Sequence, residues 1–313
     1  MNMIDLIQRT WPDWYIDRML CHGADGCVYR AKRRNSAEPA RCAIKAFDVP
    51  AYALEPDCPH ALDREGQTVA GFLEKQARML EGTIRLLEAA KDCANLVAIE
   101  EHRVIPQPEL PGWVVLIRMD LLTPLKEYIP IQRKPDHKKV VKLGIDICNA
   151  LTACRERNIA CGEVTPERIF VSCEGDFKLG GFYGIGMFAP ASKSAVRLGA
   201  NYYMAPEVYG GSVDEADPDA EVRIELYALG IILYTLLNNG CFPFAPTERP
   251  CDMKAVSRAM SLRLRGEVLP EPLHGGKALK RVVLKACSFD PGMRFGSAAE
   301  MREALLKLPG WRL

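Results

Sequence analysis

The sequence has almost no net charge, no long apolar run and no paired-cysteine motif, and each absence removes a class of function. Its 313 residues carry 41 Lys and Arg against 40 Asp and Glu, for a net charge of +1. That balance leaves no electrostatic footprint for nucleic acid or an anionic membrane surface. The one basic run, Gln132-Arg133-Lys134 through His137-Lys138-Lys139, is short and reads as the solvated start of a helix. No apolar stretch approaches the roughly 18 residues of a membrane span. The longest candidate, residues 226–237, covers about three helical turns and reads as a core helix. The 12 cysteines are scattered and form no CxxC pair, so reduced thiols packed as small apolar residues are expected. The opening MNMIDLIQRTWPDW has acidic and aromatic residues where a secretory signal needs an apolar core. A cytoplasmic protein is expected, with no nucleic-acid partner and no membrane span.

What is present is an ordinary globular balance, 48% apolar and 26% charged, with no internal repeat and no low-complexity tract. The first ~120 residues carry strand signals. Residues 15–20 and 28–32 flank a glycine turn, residues 41–47 alternate, and residues 96–105 and 113–119 are rich in β-branched side chains. One helical pattern interrupts them from about Glu65 to Lys91, with Val69, Phe72, Leu73, Leu80, Ile84 and Leu87 near helical spacing. Residues 50–60 hold three prolines and read as a surface loop. After Leu122 the pattern turns helical. Residues 140–157 bury a face of Val141, Leu143, Gly144, Ile147 and Leu151, and short strands at 169–172 and 177–179 follow. The order predicts an α+β chain: a small antiparallel β lobe with one main helix, then a larger, mostly helical lobe.

The motifs give this frame a name. LCHGADGCVY at 20–29 has the glycine spacing of a phosphate-covering hairpin, which alone is weak evidence. One strand later stands Cys42-Ala43-Ile44-Lys45, similar to the VAIK strand of protein kinases. NIACGEVTPERIFV at 158–171 resembles the kinase catalytic loop in length, flanks and the Pro166-Glu167 pair. FKLGGFYGIG falls where the metal-binding loop belongs, and Tyr203-Met204-Ala205-Pro206-Glu207, the apolar segment around Gly230 and Asp290-Pro291-Gly292-Met293-Arg294 complete the series. The chain resembles a two-lobed protein kinase domain, most of all the eukaryote-like Ser/Thr kinases of bacteria, in which Trp11-Pro12-Asp13-Trp14 has a parallel. The resemblance implies an N-terminal extension over 1–13, a β lobe over 14–120 and a helical lobe over 121–313.

The resemblance also implies which positions carry function, and here the sequence departs from it. Lys45 keeps the place of the phosphate-pairing lysine, while its usual helix glutamate falls by count on Thr83, with Glu81 and Glu88 on other faces. For Lys45 two readings stand, a phosphate contact and a solvated lysine at a strand end. Glu163 occupies the position of the catalytic base, one methylene longer than aspartate, and Gly162 removes the arginine before it. Thr165 replaces the lysine that steadies the γ-phosphate, Arg168 the asparagine that holds a metal, Gly181 the magnesium-binding aspartate and Ala200 a supporting threonine. Asp176 sits in a strand turn and is a poor substitute for that aspartate. The nucleotide pocket is implied by Gly23 and Gly26 of the hairpin, Val28, Ala43 and Phe170 as adenine walls, and the hinge at Met119, Asp120, Leu121 and Leu122. Glu207 and Arg294 match a buried ion pair, and Glu225 stands in an aspartate slot.

Kinases work mainly by positioning and charge neutralisation, and these losses are correlated. The expectation is a pseudokinase: a regulatory or scaffold protein that binds a protein partner, an active kinase or its substrate. ATP is expected to bind weakly and without metal or not at all, and magnesium is not expected. A low-activity Ser/Thr kinase using Lys45 and Glu163 is the alternative. Another phosphate-transfer reaction on the same fold comes third. Ser192 and Ser194 are candidate phosphoacceptors without an evident clamp, and Cys21 and Cys27 read as packing residues rather than redox sensors.

Overall fold

The computed structural model describes residues 2–23, 26–34, 40–49, 69–107, 112–129, 135–159, 161–162, 164–181, 202–214, 217–247 and 253–311. The proline-rich stretch at 50–60, Glu163, Ser192, Ser194 and Ala200 lie outside them. The chain divides into two units, one of Met1–Leu122, to which Gly181 also belongs, and one of Thr123–Gly180 with the described residues from Tyr202 onward.

The first unit opens with a helix that the sequence pattern does not announce. In α1 (Met3–Thr10) the Asn2 side chain accepts from the Ile4 N–H and caps the first turn. Two turns of helix are too short to hold by themselves, so packing must stabilise them. Leu6 and Ile7 enter a core cluster with Trp11, Trp14, Tyr29, Cys42, Ile44 and Leu116. Strands β1 (Trp14–Gly23), β2 (Gly26–Arg33), β3 (Arg41–Val49), β4 (Ile99–Pro106) and β5 (Trp113–Met119) form one antiparallel sheet in the order β1-β2-β3-β5-β4. Side chains alternate across a strand. Cys42, Ile44 and Ala46 of β3 therefore join the cluster with α1, and Ala43, Lys45 and Phe47 take the opposite face. Helix α2 (Val69–Ala89) packs beside β3 and β4 and buries Leu80, Ile84 and Leu87. Arg118 of β5 lies between Trp11 and Trp14, with its guanidinium 5.5 and 5.1 Å from their ring centroids. It also pairs with Glu100 at 2.9 Å and Glu101 at 3.2 Å. That cation–π clamp is the local reason for the Trp-Pro-Asp-Trp spacing.

The second unit holds a three-stranded sheet of β6 (Thr123–Pro124), β7 (Ile169–Val171) and β8 (Phe177–Leu179). Its helices are α3 (Leu125–Tyr128), α4 (His137–Glu156), α5 (Pro206–Tyr209), α6 (Ala220–Leu237), α7 (Met253–Leu264), α8 (Lys277–Ala286) and α9 (Ala298–Leu306). Helix α4 starts at His137 because the Asp136 carboxylate caps the Lys138 and Lys139 N–H groups. Helix α6 is apolar almost all round and buried, as the 226–237 run implies. A Cβ on Gly230 would lie 2.8 Å from Cys287 Sγ and 2.9 Å from Ala286 Cβ, so the glycine is what lets α6 and α8 touch. No described helix is long and apolar enough to cross a membrane, and the described cysteines are free thiols.

The two-lobed α+β arrangement expected from the sequence is the one observed. The element bounds shift modestly: β4 begins at Ile99 rather than 96, because the Leu96 N–H closes a turn onto Cys93.

Candidate functional site

The hairpin of β1 and β2 carries the glycine motif. Gly26 has φ +94°, and a Cβ there would meet Ala46 O at 2.3 Å and Phe47 Cβ at 2.5 Å. Its glycine is therefore demanded by the close approach to β3 as well as by its backbone angle. Gly23 is exposed with open space around it. Gly26→Ala is expected to destabilise the first unit by about 2–4 kcal/mol, from left-handed strain plus the backbone clash. Urea unfolding of that variant beside Gly23→Ala, which should change little, checks the assignment.

Lys45 lies in the middle of β3, its Cα opposite Val28 on β2 and Ile117 on β5. Only 9% of its surface is exposed, and its ammonium sits 5.3 Å from the Phe47 ring centroid. The reading as a solvated strand-end lysine is thereby corrected, because β3 runs on to Val49 and covers it. The α2 glutamates considered as its partners are engaged elsewhere. Glu81 binds Arg85 at 2.6 Å, and Glu88 binds His102 Nδ1 at 2.6 Å. Thr83 returns its hydroxyl to Met79 O at 3.2 Å. Ala43 is buried and Val28 half-buried, and Ala43 pairs in register with Met119. Met119, Asp120 and Leu122 are half-buried, and the Asp120 N–H donates to Ala98 O at 3.2 Å.

In the second unit the catalytic-loop positions come together around Arg168. Pro166–Arg168 form a single 3-10 turn leading into β7. Arg168 Nη1 donates to Cys161 O at 3.1 Å, and a Cβ at Gly162 would stand 3.3 Å from the same nitrogen. A fixed cation thus lies against the loop backbone at the asparagine slot. Thr165 is buried and its hydroxyl bonds Glu167. Burial pushes the Glu167 carboxyl up. The Lys126 ammonium at 2.5 Å, with backbone and Thr165 hydrogen bonds, outweighs that and leaves it below its ordinary value. Phe170 is half-buried in β7 between Pro124 and Lys178.

Asp176 pairs with Lys142 at 2.7 Å, and the same ammonium binds Asp146 at 2.6 Å. Asp146 in turn accepts the Phe177 N–H at 2.9 Å, tying β8 to α4. Gly181 adopts φ +75° and carries no ligand atom. Magnesium requires an array of oxygen ligands, and the residues at these two slots do not fit it: one is glycine and the other a guanidinium. Among the described residues no group of three or more His, Cys, Asp or Glu could hold a metal ion.

Two features had no sequence signal. Cys161, at the histidine position of the loop, is buried close to Cys154 and the Glu225 carboxyl, with its Sγ 3.9 Å from Ile159 O. The neighbouring Cys154, then burial and the negative field of Glu225, push its thiol well up. Burial, then the negative Glu221 nearby, push Glu225 itself up to about 8, against smaller opposing effects of Cys161 and Arg155. Arg155 gives little help because Asp219 already holds its guanidinium. The second feature is Arg263 of α7, 4% exposed, whose Nη1 donates to Tyr202 O.

A family model described as "Protein kinase domain" matches residues 14–306. The chain is 25% identical over 226 residues to Aurora/IPL1-related protein kinase 2 of Caenorhabditis briggsae, covering 72% of this chain and 64% of that protein. It is 28% identical over 228 residues to Serine/threonine-protein kinase PknB of Mycobacterium tuberculosis, covering 70% of this chain and 34% of that protein. Serine/threonine-protein kinase Pkn1 of Myxococcus xanthus is 31% identical over 176 residues, covering 53% of this chain and 23% of its own length. The chain therefore spans 23% to 64% of the length of these relatives.

Proposed function

The chain belongs to the protein kinase domain family, and we propose that it keeps that fold to bind a protein partner while having given up metal-dependent phosphoryl transfer. The observation that carries this reading is the pairing of losses at Arg168 and Gly181. A guanidinium hydrogen-bonded to Cys161 O stands at one metal slot, and a glycine with φ +75° at the other. Magnesium is the main neutraliser of phosphate charge in this chemistry, and a lost electrostatic contribution of that kind costs several kcal/mol of barrier. Thr165, turned onto Glu167, adds no positive charge for a γ-phosphate. Val28 and Ala43 are apolar neighbours on the first unit's sheet and suit one wall of an adenine site, and the binding proposed for ATP is weak and independent of magnesium.

The second reading, a slow Ser/Thr kinase using Lys45 and Glu163, has one observation in its favour. Lys45 is kept and shielded in mid-strand rather than released to solvent. Incubation with γ-labelled ATP, magnesium and generic protein substrates separates the two. We expect no label transferred above the no-enzyme blank. Transfer abolished by Lys45→Ala would replace the binding reading with the kinase reading.

A further inference from the structure

One face of the first unit's sheet gathers cations with little opposing charge. Residues paired across strands share a face, so the register sets Tyr15, Lys32 and Arg41 in one row and Arg18, Arg30 and Ala43 in the next. The irregularity between Ile16 and Arg18 brings Asp17 beside them. Its carboxylate binds Lys32 at 3.0 Å and also pairs with Arg30. Arg34, just past β2, stands over the Tyr15 ring, 5.7 Å from its centroid. Asp13 lies at the same end and meets Arg34 through its backbone carbonyl. Among the described residues here, two carboxylates therefore stand against five cations, Arg18, Arg30, Lys32, Arg34 and Arg41.

Like charges set opposite one another on a sheet destabilise it, and an anionic counterpart would offset that cost. Asp17 balances at most one of the two cations it touches. Arg18 and Arg41 are exposed and form no ion pair among the described residues, so both guanidinium forks are open to a carboxylate. The spacing favours a chain over a single ion. Neighbouring cations stand about 5 Å apart across strands and about 7 Å apart along β2, and the second interval is that of alternate side chains in an extended peptide. Nucleic acid fits less well. A single strand needs open aromatic faces on which to stack, and the Tyr15 ring is already covered by Arg34. A chain of net charge +1 also exerts little long-range pull on a polyanion.

We propose that this face binds an extended acidic segment of a partner protein, with carboxylates on alternate residues. Arg18 and Arg41 supply the unclaimed forks, and Arg30 and Lys32 share theirs with Asp17. This names the partner chemistry of the binding role proposed above and rests on that role.

The test uses the full chain without nucleotide, so its failure is distinct from a positive transfer assay. A fluorescent, end-capped peptide of alternating glutamate and threonine is titrated at low salt, beside its glutamine analogue and an oligothymidylate of equal charge. The glutamate peptide is expected to bind at least about tenfold more tightly than the glutamine one, a difference of about 1.4 kcal/mol. It should also bind more tightly than the oligonucleotide, and added salt should weaken it. Arg18→Glu combined with Arg41→Glu should erase the preference for glutamate. The same change of charge in the second unit, Lys277→Glu with Lys307→Glu at exposed positions, should leave it intact. Arg18→Gln with Arg41→Gln should weaken binding by a smaller factor, which decides the matter if the charge-reversed variant fails to fold. Equal affinity for the two peptides, tighter binding of the oligonucleotide, or an equal loss in both charge-reversed variants would overturn the proposal.

Discussion

Replacing Arg294 by leucine is expected to remove about 3–5 kcal/mol from the stability of the second unit, the cost of leaving one member of a buried pair alone. The side chain is 0% exposed, and all five of its donors are used. Nη1 and Nη2 reach the two Glu207 oxygens at 2.6 and 2.8 Å. The remaining bonds go to Ser288 O at 2.8 Å, Arg223 O at 3.1 Å and Phe289 O at 3.2 Å. The Tyr227 ring adds a cation–π contact at 4.6 Å. One residue thus joins α5, α6 and the turn after α8. Domains are stable by about 5–15 kcal/mol in total, so such a loss is a large fraction. Urea unfolding followed by far-UV circular dichroism reads it directly. The double variant with Glu207→Leu should be less destabilised than the sum of the single changes, because neither charge is then stranded.

Glu225 is expected to make the second unit lose stability as pH rises. Its carboxyl titrates near 4.5 when unfolded and near 8 when folded, chiefly because it is buried. Between those values the folded chain holds a proton that the unfolded chain has released, so stability falls with increasing pH. The contribution is complete below about pH 4.5 and is lost as pH passes about 8. At about 1.4 kcal/mol per pH unit, the loss across that window is roughly 4–5 kcal/mol. The groups facing the carboxyl are Glu221 on its own helix, Cys161 on the loop and Arg155 on α4. Glu225→Gln removes the titration and keeps the hydrogen-bonding shape. Unfolding free energies of the parent and this variant, measured from pH 5 to 8, should therefore diverge, with the variant the flatter of the two. Parallel pH profiles would show that Glu225 is ionised in the folded chain.

The strands and long helices were legible because their patterns are long enough to show a period. Strand β5 begins and ends where its β-branched run does, and α4 and α6 follow their apolar faces. Helix α1 was not legible: eight residues give barely two turns, and its stability comes from Leu6 and Ile7 meeting β3 and β5 residues distant in sequence. Within the site, residue types at Gly181, Arg168 and Thr165 could be read from motif order, and so could the Glu207–Arg294 pair. What each side chain does was less legible. Lys45 looked like a strand-end residue because β3 continues two residues past the apparent alternation, into Asp48 and Val49. Arg263 resembled any arginine on a basic helix, since burial that brings it to Tyr202 O has no local signature. Protonation of Glu225 depends on burial, which is a property of the packed helix rather than of the sequence around it.

The central claim is a kinase fold whose nucleotide affinity owes nothing to magnesium. Thermal unfolding of the full chain with ATP, with and without magnesium, tests it most directly, because a ligand that binds the folded state raises stability with the logarithm of its concentration over Kd. The account predicts that any ATP-induced shift is small and the same in both conditions, with magnesium alone doing nothing. A large stabilisation that appears only when ATP and magnesium are present together would contradict it.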